Sequence, residues 1–492
     1  MGVFAWVLLI VAFVLIVLLF VMIVVANGKR KCAMVYKSQK TETVPATDFA
    51  KSDVVKVLSK LIRCRTVSRP DAKLMDWKEF DKLHQILKDD FPLVYQNLTC
   101  EVIGNGNLLY FWKGQNSDDE PIFLTAHQDV VPEGNTEEWE HGPFDGDVAD
   151  GFVWGRGTFD VKIQIAGILA AVENLLKSGF VPKRSLYIGF GTNEEVAGDG
   201  AVKLAEELAR RGIHFHMLLD EGGAVMDQLM KQIRSHVAVV GVAEKGHVNY
   251  RLSVRKKGGH SSSPANPTSL GILGRAMYRV ERAQMPCHLA VPMKWFFDAV
   301  GGNTRGAFSV LFSNIWISRP LVFLIFRLNP KFAAFIRTTH AVTMCRGSEA
   351  ANVISDESSA VVNVRIMNPD DFESVSRWLK KVIRDRRVKI ELMKGELQSS
   401  VSPIHCEQFE NLRMVINSIF DDTIAVPYFM AGGSDARFYS KICDHIYRFS
   451  PAFLDFDELG RMHNSNERLS VENCGRALDF YMTLIRRFCS ED

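Results

Sequence analysis

The chain has 492 residues, too many for one ordinary domain, so two or three folded units are expected. Hydrophobic residues make up 47% and charged residues 24%, close to the globular average, which excludes disordered, collagen-like and low-complexity classes. The formal net charge of +2, with no basic stripe along the chain, leaves no electrostatic footprint for nucleic acid.

Residues 1–28 carry no charge, and 3–26 are apolar without interruption. At about 1.5 Å per residue that run crosses a hydrocarbon core of about 30 Å. A cleaved signal peptide has a shorter apolar core behind a positive segment, and no Lys or Arg precedes this one. The segment therefore reads as an uncleaved transmembrane anchor, with the lipid bilayer as partner through residues 3–26. Lys29, Arg30, Lys31, Lys37 and Lys40 follow it and favour a cytoplasmic flank, although long domains override that rule. The sequon Asn97-Leu98-Thr99 has meaning only on a lumenal or extracellular face, so both sides stay open. Nine cysteines without CxxC pairs exclude a disulfide scaffold and a cysteine zinc finger.

Residues 29–50 are polar and read as a stalk. From 51 to 246 short apolar strands alternate with helices. A strand is predicted over 122–125 and an amphipathic helix over 162–178, with Ile165, Ile168, Leu169, Val172 and Leu176 on one side and Gly179 as its stop. A strand at 186–190, a helix at 201–211 and a strand at 215–219 follow. This rhythm predicts βαβ units and an α/β fold: a mixed, mostly parallel sheet flanked by helices. From 247 to 399 the pattern changes to an inserted α+β lid, with strands at 249–254, 360–365 and 388–392 and a helix at 370–383. From 400 to 492 the first unit resumes and ends in a helix at 471–487. Residues 309–336 are unusually apolar, interrupted by Arg319, Pro320, Arg327 and Pro330. Two readings stand for them: helices buried in a core, or a greasy surface touching the membrane or an acyl chain.

Four polar clusters follow directly on predicted strands: His127-Gln128-Asp129, Asp160, Glu194-Glu195, and Asp220-Glu221. Ligands of open parallel sheets bind at the carboxyl ends of strands. Clusters of His, Asp and Glu nearly free of Lys concentrate negative charge there, which a cation must neutralise. Mixed imidazole and carboxylate donors suit zinc, with cobalt or manganese as alternatives. His127 and Asp129, two apart, face the same way on a strand, so Asp129 is placed to fix the His127 tautomer. Of the adjacent Glu194 and Glu195, one is free to bind metal and the other to take a proton.

The stretches FLTAHQDVVP, WGRGTFDVK, FGTNEEVAGDGA, LLDEGGA, KGGHSSSP, NVISDESSAVVNVR, GGSDAR and RMHNSNERL, in that order, resemble the dinuclear zinc hydrolases that include aminoacylase, carboxypeptidase S and the N-fatty-acyl-amino-acid synthase/hydrolases. The segment around 309–340 resembles the last two in particular. The resemblance implies two zinc ions per subunit. His127, Asp160 and Asp220 would hold one; Asp160, as the bridge, Glu195 and His463 would hold the other. It further implies Glu194 as general base, Asp129 as the residue orienting His127, and His260 on the lid as the group stabilising the oxyanion. Arg437, Asn352 and Arg365 would contact substrate, with Arg437 gripping a free carboxylate. Val161 stands where many relatives have a second Asp, and His463-Asn464 replaces the commoner His-Gly.

The expectation is thus a membrane-anchored zinc hydrolase that cleaves the amide bond of N-acyl, above all fatty-acyl, amino acids, with the reverse condensation open to it. The alternative is a carboxypeptidase or dipeptidase acting on short peptides. A homodimer fits the resemblance, because His260 lies on a different domain from the metal ligands and must be brought in by closure or by a second subunit.

Overall fold

The computed structural model describes residues 3–43, 51–116 and 118–490. An eight-stranded sheet forms the centre. From edge to edge it runs Thr99–Ile103, Asn107–Trp112, Leu186–Gly191, Ile122–His127, Met217–Met226, Ile446–Leu454, His236–Glu244 and Thr423–Met430. Ile122–His127 pairs in parallel with both of its neighbours, as do Ile446–Leu454 with Met217–Met226 and Thr423–Met430 with His236–Glu244. Antiparallel pairing joins the two strands at the Thr99–Ile103 edge to the rest.

Every residue of Ile122–His127 and of Leu186–Gly191 is buried, as expected of strands covered on both faces. The helix Ile163–Lys177 is buried from Ile163 through Leu175 and packs against the C-terminal helix Val471–Cys489. Gly167 permits that approach: a Cβ there would sit 3.2 Å from the Tyr481 ring. A truncation such as Leu169→Ala in this layer would cost about 2–5 kcal/mol.

The chain leaves this unit at Gly246, where a Cβ would collide with the Glu396 carbonyl, and returns past Glu396. Between them lies an antiparallel four-stranded sheet, Thr339–Arg346, Glu357–Ile366, Gly246–Arg255 and Lys389–Glu396 in spatial order. Helices Ser269–Arg282 and Phe372–Ile383 cover one face over Val248, Tyr250, Leu252, Ala360, Val362 and Val364. Alternation along the strands leaves Arg365 and its cross-strand partner His247 on the other face.

Two segments depart from the sequence-based expectation. Helices Val291–Gly301, Ala307–Ser313, Ile315–Arg327 and Pro330–Ala333 fall inside the stretch read as lid, yet they pack on the central sheet. Phe297, Phe312, Val322 and Phe326 share a core with Val237, Ile424, Val426 and Phe429. The apolar edge of the sheet around Thr423–Met430 supplies a burial surface that the half-exposed lid sheet does not. Residues 29–38, read as stalk, continue the N-terminal helix Val3–Ser38. Lys29 pairs with Asp298 and donates to the Ser313 carbonyl, which ties the basic turn to the body. Residues 39–43 follow without regular structure, and 44–50 lie outside the described residues. The helix holds one segment, Trp6–Met34, long and apolar enough to cross a membrane.

Candidate active site and metal centre

The carboxyl ends of the central strands open into a cavity of about 980 Å³. His127 closes its strand, and Glu194-Glu195 form the turn after Leu186–Gly191. Asp160 lies in the turn Thr158–Lys162 that feeds the buried helix, and the peptide linking it to Val161 is cis. Gly157, at φ 87°, begins that turn, and a Cβ there would strike the Val130 side chain. His463 comes from the loop before Arg468–Ser470 and itself takes a left-handed φ of 63°.

These segments converge. His127 Nε2 lies 3.0 Å from Asp160 Oδ1, and His463 Nε2 lies 2.9 Å from Asp160 Oδ2 and 3.1 Å from Glu195 Oε2. One donor atom from each of His127, Asp160 and Glu195 falls within 4.8 Å of the others. Glu195 Oε1 is buried without a hydrogen-bond partner among the described residues. Asp160 and Glu195 raise His463 to about 10, against the opposing effect of burial. Against the upward push of burial, the imidazoles of His127 and His463 hold Asp160 well below the usual carboxylate range. Such a set of borderline donors, with one buried oxygen unsatisfied, fits a divalent cation.

Asp220 sits apart from that trio. Its Oδ1 accepts from the Glu221 amide at 2.9 Å and its Oδ2 from the Ala436 amide at 2.8 Å. Each oxygen keeps a further lone pair. Its neighbour Glu221 lines the cavity, and Glu221 Oε2 is buried without a hydrogen-bond partner among the described residues.

Asp129 meets His127 first through its main chain. Its backbone carbonyl lies 2.9 Å from His127 Nδ1, closer than its carboxylate at 3.5 Å. The carboxylate instead accepts the amides of Glu194 and Glu195, each at 3.1 Å. Asp129 thereby fixes the turn that carries both glutamates as well as the imidazole. A second anchor is Glu467. Its Oε1 accepts the amides of Gly157 and Phe159 at 3.0 and 3.2 Å, and its Oε2 lies 2.6 Å from Arg156 Nη1, all in the buried interior.

Glu194 lines the cavity beside Asp160 and Glu195. Desolvation pushes it well above the usual carboxylate range; Asp435, Glu195 and Asp160 add to that and His127 opposes it. Glu221 and Asp435 are displaced the same way, burial leading and Asp220 next. The sequence reading assigned neither residue a role. Both stood in quoted motifs, LLDEGGA and GGSDAR, and Glu221 also in a polar cluster after a predicted strand, which was the available signal.

The cavity also receives Arg365, Arg437 and His247. Arg437 is committed: its guanidinium pairs with the buried Glu244 at 2.8 Å and with Glu396 of the lid sheet at 3.2 Å. Among the described residues, the Arg365 side chain forms no hydrogen bond or ion pair. The rest of the wall is apolar, with Met226, Met230, Met293, Phe296, Phe326, Phe332, Phe335 and Tyr428.

His260 and Asn352 lie elsewhere. His260 is exposed on the ribbon that pairs Gly259–His260 with Val353–Ile354, and the Ser261 amide donates to the Asn352 carbonyl at 3.0 Å. The two residues are neighbours on the lid, and neither lines the cavity.

A helix-covered, mostly parallel sheet with a carboxylate–imidazole cluster able to hold a metal beside a recessed glutamate has the architecture of a metallohydrolase. The profile of peptidase family M20/M25/M40 matches residues 123–487, and the chain belongs to that family of metallopeptidases and amidohydrolases. It is similar to the probable carboxypeptidase S-like 2 of Dictyostelium discoideum, 34% identical over 89% of this chain and 86% of that one. It is 32% identical to the N-fatty-acyl-amino acid synthase/hydrolase PM20D1 of Homo sapiens, over 83% of this chain and 82% of that one. Among solved structures, the M20 metallo-carboxypeptidase Sso-CP2 of Sulfolobus solfataricus shares the fold at a TM-score of 0.64 and 15% identity, over 89% of this chain and 99% of that one.

Proposed function

We propose that the chain is a zinc-dependent amidohydrolase, anchored by its N-terminal helix, that cleaves N-fatty-acyl amino acids and runs the reverse condensation when amine and fatty acid are abundant. The observation that carries this reading is the division of the cavity wall into three chemistries: the carboxylate–imidazole cluster, the arginine pair, and a large apolar remainder. An N-acyl amino acid presents the matching groups, an amide, a carboxylate and a hydrocarbon chain. The relatives named N-fatty-acyl-amino acid synthase/hydrolase agree with it.

In this reading His127, Asp160 and Asp220 would hold one zinc ion and Asp160, Glu195 and His463 a second. When bound, such ions polarise an amide carbonyl and bring the pKa of water toward neutrality. Glu194, its own affinity for protons raised by burial, takes the proton of the attacking water and returns it to the departing amine. Asp129 keeps Glu194 and Glu195 in register. Arg365, without a carboxylate partner, receives the substrate carboxylate, and Arg437 supports it. His260 would reach the oxyanion, and Asn352 beside it the substrate, by movement of the lid or from a second copy of the chain.

The competing reading is a carboxypeptidase or dipeptidase, favoured by the relatives named carboxypeptidase S-like and by the peptidases among the solved structures. The test is product analysis by mass spectrometry with N-oleoyl-phenylalanine and a blocked dipeptide offered to the purified full chain. Preferential release of oleate supports the acyl reading; preferential cleavage of the dipeptide replaces it.

A further inference from the structure

We propose that the helix Ile315–Arg327 lies in the interface of the bilayer that the N-terminal helix crosses, its outer face in lipid and its inner face forming a wall of the catalytic cavity. Acyl substrates then enter from the membrane; that last step alone rests on the proposed acyl-amide activity.

The depth of this helix is set by a contact with the anchor. Along Val3–Ser38, residues Leu18, Met22, Val25, Ala26, Lys29 and Ala33 are shielded while their neighbours are exposed, a stripe at helical spacing. It leans on the body. Asn314, fully buried, donates from its side chain to the Met22 carbonyl at 2.9 Å. Met22 lies inside the apolar run, and the first charged residue after it is Lys29. At 1.5 Å per residue, Asn314 therefore sits about 10 Å along the anchor from the Lys29 backbone, and the Lys29 ammonium reaches back to the neighbouring Ser313 carbonyl, which puts this corner at the level where apolar chain gives way to charge. Asn314 is also the corner between Ala307–Ser313 and Ile315–Arg327, which meet at 118°. The second helix, of 13 residues, is too short to span a core of about 30 Å and runs along the interface instead.

Its two faces are both apolar and do different work. Ile315, Val322 and Phe326 point inward, and Phe326 lines the cavity with Phe296, Phe332 and Phe335. Trp316, Leu321, Leu324 and Leu328 point outward at helical spacing, with Trp316 65% and Leu328 81% exposed. Nothing in a water-facing helix accounts for that second face. Asp298 beside its corner is taken up by Lys29, and the exposed charges along this stretch have one sign. No acidic residue occurs from 299 through 348, whereas the exposed Arg305, Arg319 and Arg327 do. Arg30 and Lys31 of the anchor add to a cationic rim suited to anionic headgroups.

The experiment reconstitutes the full chain in phosphatidylcholine–phosphatidylserine vesicles with or without brominated acyl chains. It compares Trp6→Phe with Trp6→Phe/Trp316→Phe, so that the difference reports Trp316 alone. The proposal expects bromolipid to remove most of the Trp316 emission. A second arm uses Leu321→Glu/Leu324→Glu/Leu328→Glu, which keeps the anchor and touches no cavity residue. Its turnover of vesicle-borne N-oleoyl-phenylalanine should fall about tenfold or more while that of soluble N-acetyl-phenylalanine is unchanged. Unquenched Trp316, including the case in which a second copy of the chain covers this face, overturns the proposal. Equal turnover of the vesicle-borne substrate by wild type and variant overturns the entry route. If wild type hydrolyses neither amide, the substrate reading fails, and the quenching still decides the bilayer contact.

Discussion

His463 lies 2.9 Å from Asp160 Oδ2 although 303 residues of chain separate them. The contact exists only when the last part of the chain has docked strand Ile446–Leu454 into the middle of the sheet, beside Met217–Met226. The carboxylate–imidazole cluster is therefore a product of the completed sheet, and each residue that steers either partner bears on the proposed chemistry.

Glu194→Gln removes the proton acceptor and keeps the shape. Because Glu194 is distinct from the clustered donors, metal content should match wild type while kcat falls by about 10²–10⁴. Metal analysis beside steady-state kinetics checks both halves, and undiminished turnover removes Glu194 from its role.

Glu467 holds the turn of Asp160 through backbone amides and neutralises Arg156. Glu467→Gln leaves the buried guanidinium without its charge partner, a loss of about 3–5 kcal/mol for a buried pair. The denaturation midpoint should drop, and metal affinity should weaken about 10–100-fold. Arg156→Leu/Glu467→Leu should regain part of the stability but none of the affinity, since the amides of Gly157 and Phe159 stay unanswered.

The two arginines of the cavity should separate kinetically. Arg365→Met should raise KM for an N-acyl amino acid about tenfold or more, the worth of one charged hydrogen bond, with the denaturation midpoint retained. Arg437→Met should lower the midpoint as well, because it strips one partner from buried Glu244. An amidated substrate without a carboxylate should show no difference between wild type and Arg365→Met; a difference there contradicts carboxylate recognition.

Lys245 supplies a pH test. Buried at the crossing into the lid, its Nζ donates to the Arg337 carbonyl at 2.8 Å. Burial, with Arg365 and Arg337 beside it, lowers its pKa to about 7. An unfolded Lys titrates at about 10.4, so between the two values the unfolded chain binds more protons and stability rises with pH. Lys245→Met should therefore raise Tm more at pH 7 than at pH 9.5. A constant increment across that range contradicts the displaced pKa.

Much of this was legible in residue pattern. The helix expected over 162–178 is Ile163–Lys177, the strand over 186–190 is Leu186–Gly191, and the terminal helix over 471–487 is Val471–Cys489. Each is set by local periodicity, which a sequence displays directly. His127, Asp160, Glu195 and His463 were legible because each follows a strand or motif whose type restricts its place. What escaped was set by partners remote in sequence. The apolar stretch at 309–336 left two readings because one face of Ile315–Arg327 is core and the other, equally apolar, is exposed. The commitment of Arg437 to Glu244 and Glu396, and of Asp220 Oδ2 to the Ala436 amide, depends on segments that only tertiary packing brings near.

The most direct test of the central claim is anomalous diffraction at the zinc edge from crystals of the purified protein. The account predicts a pair of peaks ringed by His127, Asp160, Glu195, Asp220 and His463, with Glu194 facing them. Full occupancy at any other place, or no peak among these side chains from zinc-replete protein, would contradict it.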